Sequence, residues 1–287
     1  MAQSTRTQTK STQENKADIE DLKVEASKNS AEGKKPSADK QSFNEGDVSN
    51  ASSVTETVAV IKTLAIDIGG SGVKALLLDE QGQALGERDR IKTPKPATPE
   101  AVMAVIEQLA KNQPSFDRIS VGFPGVVRRG VVYTAVNLHP DWQEYDLAGE
   151  LTARLEKPAR VANDADLQGM GAISGVGVEL VITLGTGFGT ALFTNGHLVP
   201  NTELAHHRFR KGETYEEQLG RAALKKVGSK TWNSRLLKAI DSLSRTLNYD
   251  HLYIGGGEVK HIEADLPDNV TTISNLLGLL GGIKLWA

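Results

Sequence analysis

The chain has 287 residues, of which 39% are hydrophobic and 24% are charged, and a formal net charge of -3 at pH 7 that favours no class of partner. The lack of cysteine excludes disulfides, thiolate zinc sites and cysteine nucleophiles. Because no run of eighteen apolar residues and no charged-then-apolar leader is present, we expect a cytoplasmic protein without a membrane span.

The first 57 residues differ in composition from the rest of the chain. Gln, Ser, Thr, Asn, Lys and Glu dominate residues 1–57, and the apolar residues there are isolated. Such a segment buries too little apolar surface to offset its chain entropy, so we expect a disordered polar tail. A solubilising extension and a binding segment are both open for it.

The folded part is predicted to begin at Val58 with an antiparallel meander. Residues 62–68 and 72–78 form two apolar strands around a glycine-rich turn, and residues 83–91 are predicted to be a third strand. After the meander, the sequence predicts two capped helices and three strands. They are a helix that Thr98 caps and Pro99 begins, strands over 117–122 and 131–135, a helix that Asp146 caps, and a strand over 159–162.

The turn between the first two strands has the composition of an anion site. Gly69, Gly70 and Gly72 can adopt backbone angles closed to other residues, and such turns direct several N–H groups at one point. Asp67 would repel a bare phosphate, which implies a metal ion or ordered water between them, and Lys74 adds positive charge. An ordinary hairpin with a glycine-rich turn is the alternative.

The second half of the folded part repeats this plan. Residues 64–78 and 180–194 each combine a strand, a glycine turn and a return strand, and two facing turns across a cleft would suit a phosphoryl donor. The predicted elements are helices over 167–174, 214–227 and 230–248, strands over 178–184, 190–194, 251–254 and 270–273, and a helix from an Asn275 cap through Trp286.

Phosphoryl transfer to an alcohol needs a phosphate cradle, positive charge and a base for the hydroxyl. The two glycine turns supply candidate cradles, and Thr186 can donate a hydroxyl hydrogen bond. Asp164 or Asp166 can serve as the base, because both follow a strand end. The segment that contains them equally suits a helix cap.

Other polar residues could bind a polyol or a polyanion. The polyol candidates are Asn137, Asp141, Glu203, His206 and Glu216; a lone histidine is usually structural, and Glu203-x-x-His206 is weak evidence for a metal. Basic residues concentrate after the second hairpin and form either a solvated face or a polyanion track. They are Arg208, Arg210, Lys211, Arg221, Lys225, Lys226 and Lys230.

The order of the motifs resembles that of the ROK (repressor, ORF, kinase) sugar kinases, over roughly residues 60–287. The segments Thr214–Gly220 and Asn275–Gly282 look like the polyphosphate glucokinase and polyphosphate/ATP glucomannokinase branch. The ordered motifs are Asp67–Lys74, Gly122–Gly125, Asn137–Trp142, Asn163–Asp166, Leu184–Gly189 and Glu203–His206.

The resemblance implies the actin-like (ribonuclease H-like) sugar-kinase fold, an α/β architecture with lobes over 58–165 and 166–287 around a cleft. It implies transfer of the terminal phosphate of ATP or inorganic polyphosphate, with Mg2+, to the 6-hydroxyl of glucose and of mannose. It further implies a homodimer without a nucleic-acid or membrane partner. A catalytically weak sugar-binding regulator on the same fold, or a kinase of another sugar, is the alternative.

The resemblance also implies the roles of single residues. Asp164 matches the catalytic base, and Asp67 matches the carboxylate associated with magnesium. The sugar ligands match Asn137, Asn163, Asp164, Glu203, His206 and Glu216, with Glu217 as the alternative to Glu216. The phosphate contacts match Gly70, Ser71, Gly72, Lys74, Thr186 and Gly187, and the adenosine side matches Gly256 and Gly257.

The chain departs from the family pattern in two places. Many ROK proteins carry a cysteine-rich zinc motif after a Glu-x-Gly-His element; this chain has no cysteine, so no zinc is expected. Ala205 stands where that element has glycine, which would alter the turn if glycine's positive φ were used there. The tail lacks paired amphipathic helices, which argues against a ROK repressor.

Overall fold

The computed structural model describes residues 60–135 and 138–287. The predicted tail over 1–57 and the candidate sugar ligand Asn137 lie outside these residues. The strands are Thr63–Gly69 (β1), Gly72–Leu78 (β2), Asp89–Ile91 (β3), Arg118–Phe123 (β4), Val127–Arg128 (β5), Val131–Val132 (β6), Tyr145–Asp146 (β7), Ala159–Asn163 (β8), Val178–Leu184 (β9), Phe188–Thr194 (β10), His197–Val199 (β11), Arg208–Arg210 (β12), Glu213–Thr214 (β13), His251–Gly255 (β14) and Val270–Thr272 (β15).

The helices alternate with these strands. The α-helices are Pro99–Asn112 (α1), Leu147–Leu155 (α2), Asp164–Ala172 (α3), Tyr215–Leu219 (α4), Arg221–Leu247 (α5) and Leu277–Leu280 (α6). The 3-10 helices are Pro140–Trp142, Leu204–His206, Val259–His261 and Gly281–Trp286. No helix in the described ranges is both long and apolar enough to cross a membrane.

The first sheet has the strand order β3-β2-β1-β4-β8, in which β1 pairs antiparallel with β2 and parallel with β4. This confirms the predicted hairpin. The predicted third strand is wrong over 83–88, where only an isolated bridge joins Ala84 to Leu78. Most side chains of that segment are exposed, so it has no buried face to hold it against the sheet.

The first predicted helix packs on this sheet. Thr98 caps α1 by accepting a hydrogen bond from the Ala101 N–H at 3.3 Å, as predicted. Val102, Ile106 and Leu109 are fully buried against the sheet, because their spacing places them on one helical face. Burial of this stripe therefore attaches α1 to the first sheet.

Two further predictions in the first half have different outcomes. Asp146 caps α2 by accepting from the Gly149 N–H at 2.9 Å, as predicted. The strand predicted over 131–135 stops at Val132. Beyond it, the Thr134 Oγ1 accepts the hydrogen bond of the Val126 N–H at 2.9 Å, so a side chain replaces the backbone ladder.

The second sheet has the strand order β11-β10-β9-β14-β15 and contains the second predicted hairpin, β9 with β10. Helix α5 covers it with Trp232, Leu236 and Ile240 buried. The predicted break near residue 228 is confirmed, because Gly228 has φ 74° inside α5. A second break at Gly220, which the helix predicted over 214–227 misses, separates α4 from α5.

Helix α3 begins at Asp164, three residues before the predicted start at 167. The Asn163 Oδ1 accepts hydrogen bonds from the N–H groups of Ala165 (2.8 Å) and Asp166 (3.2 Å), so Asn163 is the N-cap. The helix lies close to the second sheet: a Cβ on Gly169 would stand 2.4 Å from the Phe193 ring. Small residues in α3 therefore allow this contact.

The C-terminal segment returns to the first sheet. The Ser120 Oγ of β4 donates to the Gly282 carbonyl at 2.7 Å and accepts from the Trp286 Nε1 at 2.9 Å. The predicted Asn275 cap is wrong, because the Asn275 Oδ1 accepts instead from the Gly256 N–H at 2.9 Å. The lobe boundary at 165/166 stays a prediction.

Candidate active site

A cavity of about 310 Å³ lies where the glycine turns of the two sheets face each other. It gathers nearly all residues that the sequence singled out. Those on its wall are Asp67, Gly69, Gly70, Ser71, Lys74, Asn163, Asp164, Thr186, Gly187, Glu203, His206, Glu216, Gly256 and Gly257. The structure brings neither Gly72 nor the polyol candidate Asp141 to this wall.

In the first glycine turn, Gly72 is needed for space rather than for an unusual backbone angle. None of Gly69, Gly70 and Gly72 has a φ in the left-handed region, so that part of the prediction is wrong. The position of a Cβ on Gly72 is 2.5 Å from the Arg90 Nε, whereas one on Gly70 would meet nothing within 4 Å. The turn is held from behind, where Arg90 donates to the Ser71 carbonyl at 3.2 Å.

Asp67 and Lys74 face each other across the first hairpin. They are directly opposed in the β1–β2 register, and the Lys74 Nζ donates to the Asp67 Oδ2 at 2.6 Å. Both side chains are about a quarter exposed, at 26% and 29%. The hairpin thus presents a paired carboxylate and ammonium to the cavity.

Asp164 occupies the first turn of α3, directly after β8. Its side chain lines the cavity and its Oδ1 accepts from the Ala165 N–H at 2.8 Å. Burial and then the negative charge of Asp67 raise the pKa of Asp164 to about 7. A carboxyl group with this pKa exchanges a proton readily near neutral pH.

Asp166 lies behind the cavity wall. It is 2% exposed, its Oδ1 has no hydrogen-bond partner among the described residues, and its Oδ2 accepts from the Asn201 N–H at 3.4 Å. Burial raises the pKa of Asp166 to about 7. Of the two carboxylates that the sequence left open as the base, only Asp164 reaches the cavity.

Asn201, which the sequence analysis missed, joins the segment before Glu203 to the first half of the chain. Its Oδ1 accepts from the Val127 N–H and its Nδ2 donates to the Val127 carbonyl, both at 3.1 Å. Its φ of 57° is a conformation that asparagine adopts more readily than most residues. In the sequence, the one sign of this role was that a polar residue, Asn201, precedes the Glu203 motif.

The polar set on the cavity wall contains Glu203, His206 and Glu216. The Glu203 Oε2 lies 3.7 Å from the His206 Nε2, and burial raises the pKa of Glu203. Ala205 lies in the 3-10 helix Leu204–His206 without a positive φ, so the backbone there suits alanine.

Glu216 and Glu217, between which the sequence left the sugar ligand open, have different surroundings in the structure. The Glu217 Oε2 accepts from the Thr214 N–H at 2.8 Å, while the Thr214 Oγ1 accepts from the Glu217 N–H at 3.2 Å. The Glu217 side chain is therefore used in this capping box, on the surface. Glu216 lines the cavity, with its Oε2 2.2 Å from where a Cβ on Gly187 would stand.

The basic stretch divides between surface and cavity. The exposed members are Arg208, Lys211, Lys225, Lys226 and Lys230, and Arg210 donates to the Gln218 Oε1 at 3.1 Å. Arg221 alone among them lines the cavity. Thr183, Gln168 and Asn275 are further wall residues that the sequence analysis did not identify.

Sequence comparisons relate this chain to known proteins. The ROK family model matches residues 63–207. The polyphosphate glucokinase of Mycobacterium leprae is 31% identical over 75% of this chain and 72% of that protein, and the Mycobacterium tuberculosis enzyme is 29% identical over 75% and 88%.

Solved structures are also similar to this chain. The inorganic polyphosphate/ATP-glucomannokinase from Arthrobacter sp. strain KM has a TM-score of 0.72 and 32% identity, over 79% of this chain and 100% of that one. A ROK family glucokinase from Streptomyces griseus has a TM-score of 0.65 and 20% identity over 78% and 98%, which supports the fold alone. These likenesses confirm the predicted α/β, actin-like sugar-kinase fold. The chain belongs to the ROK family.

Proposed function

We propose that this protein transfers the terminal phosphate of inorganic polyphosphate or ATP to the 6-hydroxyl of glucose, and of mannose as well. The observation on which this rests is the cavity itself, where the Asp164 carboxylate stands between two glycine turns and a polar set. The likeness to two polyphosphate glucokinases and a polyphosphate/ATP-glucomannokinase supports the choice of substrates. The same proposal makes the protein a cytoplasmic homodimer that supplies hexose 6-phosphate to glycolysis.

Asp164 acts as the general base. As the sugar oxygen attacks the terminal phosphorus of the donor, its proton passes to the Asp164 carboxylate. The bond from that phosphorus to the bridging oxygen breaks, and its electron pair leaves with the shortened donor. A pKa of about 7 suits this role, because a base works best when its pKa is near the operating pH.

Glu203, His206 and Glu216 bind the sugar hydroxyls. Asn163 has fewer free hydrogen-bonding groups for the sugar, because its Oδ1 caps α3 and its Nδ2 already donates to the Gly125 carbonyl at 3.1 Å. Its second Nδ2 hydrogen remains for the sugar, and its main task is to orient Asp164. The role of Asn137 stays a prediction from the family resemblance.

The residues around the first glycine turn fit a magnesium ion that arrives with the donor. No three carboxylate or histidine side chains gather into a cage within residues 60–135 and 138–287. Mg2+ is usually held by one or two carboxylates together with substrate phosphates, and Asp67 on the cavity wall offers such a ligand. When bound, the ion would neutralise charge on the phosphates; Lys74, Thr186 and the turn amides contribute further donors.

The function is tested by measuring hexose 6-phosphate formation with each sugar and each donor. We expect Mg2+-dependent turnover of glucose with polyphosphate, with ATP, or with both. Turnover of another sugar alone would support a kinase of different specificity. Calorimetric binding of glucose without turnover of any pair would contradict the kinase and support the sugar-binding regulator.

A further inference from the structure

Arg221 stands at the end of the cavity where the family resemblance names only glycines. It is the first residue of α5, and its N–H donates to the Gly185 carbonyl at 2.9 Å, next to Thr186. Its Nη2 lies 3.7 Å from where a Cβ on Gly257 would stand. The guanidinium therefore lies between the second glycine turn and the glycines of the predicted adenosine side.

A buried carboxylate fixes this guanidinium. The Arg221 Nε donates to the Glu258 Oε1 at 2.5 Å, and the side chains are 41% and 7% exposed, respectively. The Glu258 N–H donates to the Leu184 carbonyl at 2.9 Å, which ties the carboxylate's own backbone to β9. The Glu258 Oε2 also lies 3.6 Å from the His261 Nε2.

The ion pair leaves most of the guanidinium available. Among the described residues, the hydrogen bond to Glu258 uses Nε, and no other side chain accepts from Arg221. The two Nη groups have four further N–H donors in a planar fork, which matches two oxygens of a phosphate.

We propose that Arg221 binds a phosphate of the donor at the position where ATP would place its ribose and adenine, and that it thereby selects inorganic polyphosphate over ATP. The inference rests on the proposed function. The family resemblance places the neutral ribose and adenine of ATP beside Gly256 and Gly257, whereas a longer polyphosphate chain would carry a charged phosphate there. The Arg221 guanidinium would therefore face a charged phosphate when polyphosphate is bound and an uncharged group when ATP is bound.

The test uses the double variant Arg221→Met/Glu258→Gln, because removing Arg221 alone would leave a buried carboxylate without its partner. We expect its KM for polyphosphate to rise about tenfold or more, and its KM for ATP to change by less than about threefold. Glu258→Gln alone retains the cation and an acceptor oxygen for the Arg221 Nε, so its polyphosphate KM should rise less than that of the double variant.

A matched control removes one charge elsewhere on the same helix. Lys238 is exposed on α5 and does not line the cavity, so Lys238→Ala should leave both KM values unchanged. Calorimetric binding of polyphosphate, without sugar, gives a readout that does not depend on turnover. Its affinity should fall in the Arg221→Met/Glu258→Gln variant and persist in Lys238→Ala.

The outcomes separate this inference from the proposed function. Wild-type protein that binds polyphosphate through Arg221 but phosphorylates no sugar would uphold the inference and refute the kinase. Turnover from both donors with an unchanged polyphosphate KM in the double variant would refute the inference alone. An equal rise in KM for ATP and for polyphosphate in the double variant would refute the proposed selectivity. Wild-type protein that fails to bind polyphosphate would refute it as well.

Discussion

Replacing Asp164 by asparagine should abolish most turnover while leaving the site intact. The amide has the shape of the carboxylate, and its oxygen can still accept from the Ala165 N–H, now 2.8 Å from Oδ1. It cannot take the proton of the sugar hydroxyl. A positioned base typically contributes a factor of about 10²–10⁴, so kcat should fall by that amount with little change in sugar affinity.

The pH dependence gives a second measure of the same residue. Because burial and the charge of Asp67 raise the pKa of Asp164 to about 7, the base is protonated, and inactive, below that pH. The wild-type kcat/KM should therefore fall about tenfold per pH unit on the acid side of neutrality. The residual activity of Asp164→Asn should lack this limb.

The assay follows hexose 6-phosphate formation between pH 5.5 and 8.5, roughly a unit and a half either side of that pKa, with sugar affinity measured by calorimetry. Asp166→Asn is the matched control, since it alters a neighbouring carboxylate that lies behind the wall. If Asp164→Asn keeps near-normal turnover while Asp166→Asn loses it, the assignment of the base is wrong.

Three further predictions concern stability and sugar binding. Because the folded-state pKa of Asp166, about 7, exceeds its unfolded value, its ionisation destabilises the fold increasingly between those two pKa values; Asp166→Asn should raise the free energy of unfolding by roughly 4 kcal/mol at pH 8 and by roughly 1.5 kcal/mol at pH 5, in urea titrations. Asn201→Gly keeps the left-handed backbone but loses both bonds to Val127, so it should cost about 1–2 kcal/mol, and Asn201→Ala about 1 kcal/mol more; equal losses would contradict the role of φ. Glu216→Gln should weaken glucose binding about tenfold, whereas Glu217→Gln should change only stability, and a reversed pair would exchange their roles.

Local sequence patterns predicted the two hairpins and most helices because each pattern reflects a local physical need. The apolar stripe through Trp232 and the cap at Thr98 are examples. Local sequence patterns did not predict the structure correctly where tertiary contacts determine it. Asn275 resembles a cap, yet its Oδ1 is used by the Gly256 N–H, nineteen residues away in the chain.

The site shows the same division. The glycine turns and the carboxylates of the motifs were recognisable from residue type and order, and the cavity gathers them. The pairing of Arg221 with Glu258 was not, because it joins residues 37 positions apart through side chains alone. Spacing also left Glu216 and Glu217 equivalent until the capping box distinguished them.

Asn163 shows that one segment can be both a helix cap and part of a catalytic motif. Gly187 shows how a glycine turn makes room for a residue of the site. The Asn163 Oδ1 satisfies the first N–H groups of α3 and thereby orients Asp164 in the cavity, while the missing Cβ of Gly187 leaves room for Glu216. The Asn163 Oδ1 thus meets a need of the backbone and a need of the site, whereas Gly187 makes room for a residue of the site. A substitution at either position should therefore lower stability and activity together, whereas Asp164→Asn, which leaves the cap in place, should lower activity without lowering stability. That contrast separates the residues that position the site from the one that reacts.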